Sequence, residues 1–552
     1  MVLFRYTFPR SMQFQLTVYF VIAPLSTAGA VPFHLQRTYA GEHLRDQFGY
    51  AAHAAGDVTG DGFDDFLVGA NVSDAAAPGG GSVSFFAGGA EVAVSPLHVV
   101  AGSVPNENCG AAIGGGGDLN GDGYDDWVAG APGLGASGDA AGRVYVFFGG
   151  PAFDFVPDRI IDGVVAGGQF GAAVLVGCDL DGDGEGDLVI GAPRAGNGEI
   201  HIYRGGTSFL EAGAARVVHA RAGDNRFGKS LARLADTDGN GCEELLVGSP
   251  RSSQAATWAG AVILYRGTAA LDTIPDLVFL GENAGDEFGT SLAADADLDG
   301  DGRDDILVGA ALANLSGSTD AGRAYLFSGG SELDEIIDLR FDGNGAGSRF
   351  GSAVTSGFDW DGDGRADGAI GAPGADTGGT DAGSGAIFFG GAGMDPLVDV
   401  TIQGPVVSAQ LGSSAASLGD IRRNGRGALL LGGYGANDNG RALLYASDDN
   451  PVDAARVEPV FGARLLPAWP NPSPSGVQIV LETLVPGHWR VDIFDARGRH
   501  VAYVFAGFLA PGAQGLAWNG RGSNGMQASS GVYSIRATSK THTVTTRVIV
   551  VH

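Results

Sequence analysis

Cysteine is nearly missing from this chain: Cys109, Cys178 and Cys242 are the only three in 552 residues, odd in number and far apart. That excludes a disulfide scaffold and a cysteine zinc site, and leaves all three to act as small buried hydrophobes. Basic charge is scarce too, with 33 Lys and Arg against 63 Asp and Glu and a net charge of −30. Binding driven by phosphate neutralisation needs clustered basic residues, so nucleic acid and anionic membrane surfaces are not expected partners. No apolar run approaches the ~20 residues of a spanning helix. The Gly-x-Ser-x-Gly, His-Glu-x-x-His and P-loop patterns are absent. The ten His are scattered, His201 and His219 falling in separate strands. No enzyme is expected; a hydrolase built on the same scaffold or a structural surface-layer component are the alternatives. Arg-Gly-Asp does not occur.

Glycine is what the chain has in excess, 95 residues, or about 17% against a typical ~7%. A hydrophobic content of 44% excludes disorder, so the composition reads as packed, turn-rich and all-β. Residues 1–30 place Arg5 and Arg10 before an apolar run, Leu16 to Leu25, and Ala28-Gly29-Ala30, the order of a cleavable signal peptide. The mature chain is then expected to begin near Val31, secreted or attached to the cell surface.

A prior of about 150 residues per domain suggests three or four domains, but an internal repeat overrides it. Phe-Gly or a variant occurs at Phe48, Cys109, Phe170, Phe227, Phe288, Phe350 and Leu411, at spacings of 61, 61, 57, 61, 62 and 61. Nine residues after each stands an Asp: Asp57, Asp118, Asp179, Asp236, Asp297, Asp359 and Asp420. A Gly-Ala-Pro-like triplet and then a Gly-initiated apolar run follow each. Four short strands per ~60 residues is a propeller blade, and blades buried on both faces explain strands that are continuous apolar runs. Residues 31–448 are thus expected to form seven blades. The N-terminal stretch Phe33 to Gly41 resembles a fourth strand with no blade before it, whereas the seventh unit stops after its third, Arg441 to Ala446. The pattern predicts that the first strand completes the last blade.

Six of the acidic loops follow D-x-[DNT]-x-[DN]-G-x-x-[DE]. Oxygen ligands at positions 1, 3, 5 and 9 with the carbonyl of residue 7 suit a hard cation, Ca²⁺ first, and Gly at position 6 permits the turn. The candidate ligands are Asp57, Thr59, Asp61, Phe63 and Asp65; Asp118, Asn120, Asp122, Tyr124 and Asp126; Asp179, Asp181, Asp183, Glu185 and Asp187; Asp236, Asp238, Asn240, Cys242 and Glu244; Asp297, Asp299, Asp301, Arg303 and Asp305; Asp359, Asp361, Asp363, Arg365 and Asp367. Up to six Ca²⁺ are expected. Position 12 is apolar, which excludes an EF-hand. Thr59, Asn120 and Asn240 each remove a carboxylate, so those loops should bind more weakly, and the seventh loop, with Arg422 at position 3, should hold no metal. The loops carry 26 acidic and two basic residues, or −24 of the −30. If they join strands 1 and 2, the 2–3 and 4–1 connections emerge on the opposite rim. Candidate ligand loops there are Pro132 to Ala141, Pro250 to Gly260 and Ala311 to Gly322. Arg251 and Trp258 are the candidate ligand-binding residues, with packing of Trp258 on its own blade as the alternative.

After a linker at 449–469, residues 470–552 show six or seven alternating segments, the pattern of a small antiparallel sandwich. The seven units resemble FG-GAP repeats, as in the seven-bladed propeller of integrin alpha chains. The resemblance implies a propeller with calcium on one rim and extracellular protein or glycan binding. Cys109 and Leu411 depart from its Phe. The tail, through Pro470-Asn471-Pro472, Val491 to Val501, and Trp518-Asn519-Gly520 with Gly531-Val532-Tyr533, is similar to the Ig-like domain of flagellar hook-capping proteins and to type IX secretion sorting domains. That likeness implies outer-membrane export machinery as a partner and attachment at the bacterial surface. A monomer is expected.

Overall fold

The computed structural model describes residues 33–447 and 476–551, apart from short stretches of which 134–139 is the longest, together with the strand Ala463–Leu465. Residues 1–30, read above as a signal peptide, and Pro470-Asn471-Pro472 lie outside the described residues. The described residues form β-strands and no helix. Seven four-stranded antiparallel sheets make a seven-bladed β-propeller. The first blade runs Phe48–Gly56, Asp65–Ala70, Ser82–Phe86 and His98–Ala101 from the axis outward. The inner strands of the others are Ala112–Gly117, Ala173–Cys178, Ser230–Leu234, Ser291–Ala296, Ala353–Phe358 and Ser414–Ser417. Each inner strand touches the next, and the last touches the first, so the ring is closed.

Why the second strands read as unbroken apolar runs is visible in where alternate residues go. In Asp126–Ala131, Trp127 and Ala129 pack toward the first blade, while Val128 packs toward the third. Seven such clusters exist, one at each seam between blades. Both faces of a middle strand are buried, so neither can be polar. Cys109 and Leu411 are buried at the positions where the other units carry Phe. The site needs an apolar group, not an aromatic one.

Glycine sets the distance between blades. Each Phe-Gly glycine has φ near +80° to +90° (Gly110 at 82°, Gly351 at 86°), a region that L side chains rarely adopt. Its amide donates to the carbonyl of the Gly-Ala-Pro glycine of its own blade, as Gly110 to Gly130 at 3.0 Å and Gly351 to Gly371 at 3.0 Å. Its carbonyl oxygen lies against the Cα of the Gly-Ala-Pro glycine of the preceding blade. A methyl on Gly309 would strike the Gly351 oxygen, and the same pairing recurs round the ring to Gly432 against Gly49. The glycine that opens each third strand makes a parallel bridge to the next blade, such as Gly322 to Phe350, closing with Gly440 to Phe48.

The N-terminal strand Phe33–Ala40 pairs antiparallel with Arg441–Ser447 and completes the seventh blade, as expected. Phe33 stacks on Trp360 at 5.1 Å on one side of that blade, and Tyr39 packs on Phe86 at 4.5 Å on the other.

The C-terminal residues form two sheets, one of Ala463–Leu465, Val477–Thr483 and Gly512–Trp518, the other of His500–Leu509, Gly487–Asp495, Gly531–Thr538 and Thr543–Val550 in that order. Ile479, Trp489, Val491, Trp518 and Ile535 are among the residues filling the space between them. Ala463–Leu465 falls inside the stretch read as a linker and pairs with Val477–Thr483, so this sheet reaches back before residue 470. Three residues are too few to show alternation.

Two stability measurements check these joints. Gly309→Ala is expected to destabilise the propeller by roughly 1–3 kcal/mol in urea unfolding, since a backbone oxygen must move to admit the methyl. Deleting residues 33–41 removes the buried Phe33 and Tyr39 and should cost about 3–6 kcal/mol; an unchanged melting curve would contradict the closure.

Candidate metal centres

All six acidic loops join the first strand of a blade to its second, so they lie on one rim. The local fold is the same in each. Both oxygens of the position-1 Asp accept backbone amides, the position-6 Gly donating at 2.7 Å to Asp57 and Asp118, and at 2.8 Å to Asp297. The position-5 side chain accepts the amide of residue 7, as Phe63 to Asp61 at 3.0 Å, Tyr124 to Asp122 at 3.1 Å and Cys242 to Asn240 at 2.7 Å. Gly62, Gly123, Gly184, Gly241, Gly302 and Gly364 all have φ between 86° and 89°, which is what position 6 requires.

Position 9 carries more than a ligand atom. Asp65, Asp126, Asp187, Glu244, Asp305 and Asp367 are essentially fully buried at the start of the second strand. One oxygen accepts an amide from its own loop, as from Leu119 to Asp126 at 2.7 Å and from Leu298 to Asp305 at 2.8 Å. The other accepts the amide of a glycine just after the third strand, Gly88, Gly149, Gly205, Gly267, Gly329 or Gly390, at 2.8–3.0 Å. Burial, aided by the neighbouring loop carboxylates, pushes Asp65, Asp126, Asp187 and Asp367 up to about 7 and Asp305 to about 6; Glu244 is raised as well. Protein groups alone leave this acidity poorly compensated, and a bound cation would favour the charged form.

The donor sets fit a hard cation. Ligand oxygens of Asp179, Asp181 and Asp183, of Asp236, Asp238 and Glu244, of Asp297, Asp299 and Asp305, and of Asp359, Asp361 and Asp367 lie within 4.8 Å of one another. Oxygens on opposite sides of a Ca²⁺ stand about 5 Å apart, so these triads have the right span. Loop four converges although Asn240 replaces a carboxylate. Asp187 stands outside its triad, as do the exposed Asp301 and Asp363, the latter paired with Arg365 at 3.3 Å. Arg204 reaches Asp181 at 2.8 Å. In the first two loops, where position 3 is Thr59 or Asn120, no acidic triad forms among the described residues. The Thr59 hydroxyl is nevertheless buried without a hydrogen-bond partner, a ligand position with nothing else to satisfy it. In the seventh loop Arg423 lies over the Phe63 ring at 5.4 Å.

Position 8 escaped the sequence reading. Asp125 accepts the amide of Asp57 of the preceding blade at 2.8 Å, Glu243 that of Asp179 at 3.1 Å, and Asp64 that of Asp420 at 2.6 Å. These acids tie one metal loop to the next. The doubled Asp-Asp and Glu-Glu ending loops one, two and four was the available signal.

On the opposite rim, Trp258 is 48% exposed, with the Arg251 guanidinium 5.1 Å from its ring centroid. Arg251 is held in turn by Glu287 at 2.8 Å. The structure thus brings the two candidate ligand residues together. The loop Ala311 to Gly322 emerges on the same rim, and Pro132 to Ala141 lies largely outside the described residues.

Comparison with known proteins agrees with this architecture. The FG-GAP repeat family matches residues 110–147, 170–203 and 288–327, and the FlgD Ig-like domain family matches 473–543. The chain is 36% identical to integrin alpha-PS5 of Drosophila melanogaster over 181 residues, 31% of this chain and 17% of that protein. It is 32% identical to integrin alpha-5 of Xenopus laevis over 172 residues, 29% of this chain and 16% of that one. It therefore spans less than a fifth of the length of these relatives. Among solved structures, PorZ of Porphyromonas gingivalis, an essential bacterial surface component of the type-IX secretion system, aligns at a TM-score of 0.41 and 14% identity over 91% of this chain and 59% of that one. At that score the likeness bears on neither fold nor function. No helix among the described residues is long and apolar enough to cross a membrane.

The double role of position 9 is open to measurement in a chelator. There Asp305→Ala should lose roughly 2–3 kcal/mol, since it strands buried backbone amides. Asp301→Ala, at an exposed position, should stay within about 1 kcal/mol.

Proposed function

We propose that this chain, a propeller of FG-GAP repeats followed by a FlgD Ig-like domain, is a calcium-stabilised binding or adhesion module that acts outside the cell. The observation that carries this reading is the division of labour between the rims. Carboxylates and glycines crowd one rim and are occupied with the loops there, while the other presents the long 2–3 and 4–1 connections with the exposed Trp258 beside the half-buried Arg251. A rigid ring carrying loops on one face suits recognition of a protein or glycan. An exposed Trp beside an Arg is a common interface anchor. The similarity to integrin alpha chains supports the same class of function, and the FlgD-like domain supports a role in export or surface attachment. The module works without catalysis.

The cation is Ca²⁺, and the four triads are its strongest sites, with Thr59 and Asn120 weakening the first two loops. Six ions would bring the net charge from −30 to about −18. Calorimetry on the purified protein should show calcium uptake with dissociation constants on the order of 10⁻⁴ to 10⁻³ M. If calcium is not taken up and chelation leaves stability unchanged, the cation role is wrong. Binding itself is checked on glycan and extracellular-matrix arrays. A specific hit weakened by Trp258→Ala supports the reading; silent arrays together with glycosidase, lipase or protease turnover would replace it with a hydrolase.

A further inference from the structure

On the rim opposite the metal loops, one junction between blades is closed by an ion pair that its neighbour lacks. At the junction of the fourth and fifth blades Arg251, the third residue after the Gly-Ala-Pro-like glycine, pairs at 2.8 Å with Glu287, the residue before the next blade's Phe. At the junction of the third and fourth blades the same two repeat positions hold Arg194 and Arg226. The backbone is alike at both. The Arg194 amide donates to the Gly168 carbonyl at 3.1 Å and the Arg251 amide to the Asn225 carbonyl at 3.2 Å, each acceptor two residues before the Phe of its blade. Arg226 and Glu287 share a left-handed turn, with φ 61° and 52°. An ion pair at one junction is thus replaced by two like charges at the other.

Among the described residues no carboxylate pairs with Arg194, Arg226 or Lys229, and Glu287 is taken by Arg251. Asp224, buried two residues before Arg226, accepts from Gln254 at 2.7 Å instead. Burial, then Arg251 and Arg194, push the Arg226 guanidinium below its ordinary value, and burial with Arg226 does the same to the Lys229 ammonium. Four cations with one carboxylate among them therefore stand together in a chain whose net charge is −30. They come from residues 194, 226, 229 and 251, so no basic run marks them in the sequence. Arg251 also lies 5.1 Å from the ring centroid of Trp258, which stays 48% exposed, so an aromatic surface adjoins the charge.

We propose that this junction binds the carboxylate or sulfate of an acidic glycan. The inference rests on the reading of this rim as the ligand-binding face and names what that face takes. Arg194 and Arg226 offer planar guanidinium donors to one oxyanion, and Lys229 adds a third cation. The bound anion supplies the charge that Glu287 supplies one junction further on. A glycan suits the site better than an acidic peptide because a sugar joins both features in one unit. Its ring has an apolar face that lies flat on Trp258, and its acid groups meet the arginines.

The probes are a galacturonate hexasaccharide for the carboxylate and a heparin hexasaccharide for the sulfate, titrated by calorimetry into the purified full chain with Ca²⁺ present. Maltohexaose is the neutral comparator and hexaglutamate the acidic peptide. At least one acidic hexasaccharide is expected to saturate with a dissociation constant on the order of 10⁻⁴ M, at least about tenfold tighter than either comparator, and to weaken as salt rises. Arg194→Gln with Arg226→Gln should weaken it about tenfold or more. Gln47, Gln169 and Gln410 already occupy the Arg226 position in the first, third and seventh blades, at φ of 57°, 57° and 54°, so the melting temperature should hold. Arg226→Glu should recreate the pairing of Arg251 with Glu287 and remove binding without lowering the melting temperature. Failure of both acidic hexasaccharides to bind, tighter binding of hexaglutamate, or affinity unchanged by loss of the two arginines overturns the proposal; a sugar held through Ca²⁺ on the opposite rim would give the last result. A neutral glycan or a protein caught on the arrays and indifferent to Arg226→Glu also overturns it, and leaves the broader reading of a binding module standing.

Discussion

The ring rests on one short contact repeated seven times: the carbonyl of a Phe-Gly glycine lying against the Cα of a Gly-Ala-Pro glycine in the blade before it. No side chain fits there, so the two motifs are the halves of a single joint. Because the contact is backbone on backbone, it fixes blade separation more tightly than apolar packing, which tolerates Cys109 and Leu411 in place of Phe. Blade angle, seam volume and the alignment of the acidic loops all follow from it.

The acidic loops depend on that spacing in a second way. Position 8 of one loop holds the first amide of its neighbour in three of the seven junctions. Position 9 is rooted in the strand below and holds the loop, the start of the strand and the turn after the third strand together. A cation at such a loop sits on a group that already organises the blade, so its occupancy is coupled to blade stability rather than added to a finished surface. The net charge of the chain is therefore mostly a property of one rim.

Much of this was legible in the residues. The Phe-Gly register, the Asp nine positions later and the orphan strand at Phe33 defined the blades and their closure, because each is a local requirement with few chemical solutions. The metal positions were legible as a pattern, but not which oxygens converge: Asp301 and Asp363 look equivalent to Asp299 and Asp361 in sequence, yet they serve the amide of residue 7 instead. The position-8 acids were counted as charge and not seen as inter-blade acceptors, since their partners are 64, 68 and, across the ring closure, 356 residues away.

The closing strand also imposes an order in time. Gln36 bonds the carbonyl of Ala446 across a separation of 410 residues. The first strand made is thus the last to find its partner, and until the seventh unit exists it is an unpaired edge bearing Phe33 and Tyr39. The entropy of closing so long a loop grows only slowly with length, but contacts this remote are slow to form. Closure of the ring waits until Arg441–Ser447 has been made, and the interval before it is when this chain is most exposed to pairing with a strand other than its own.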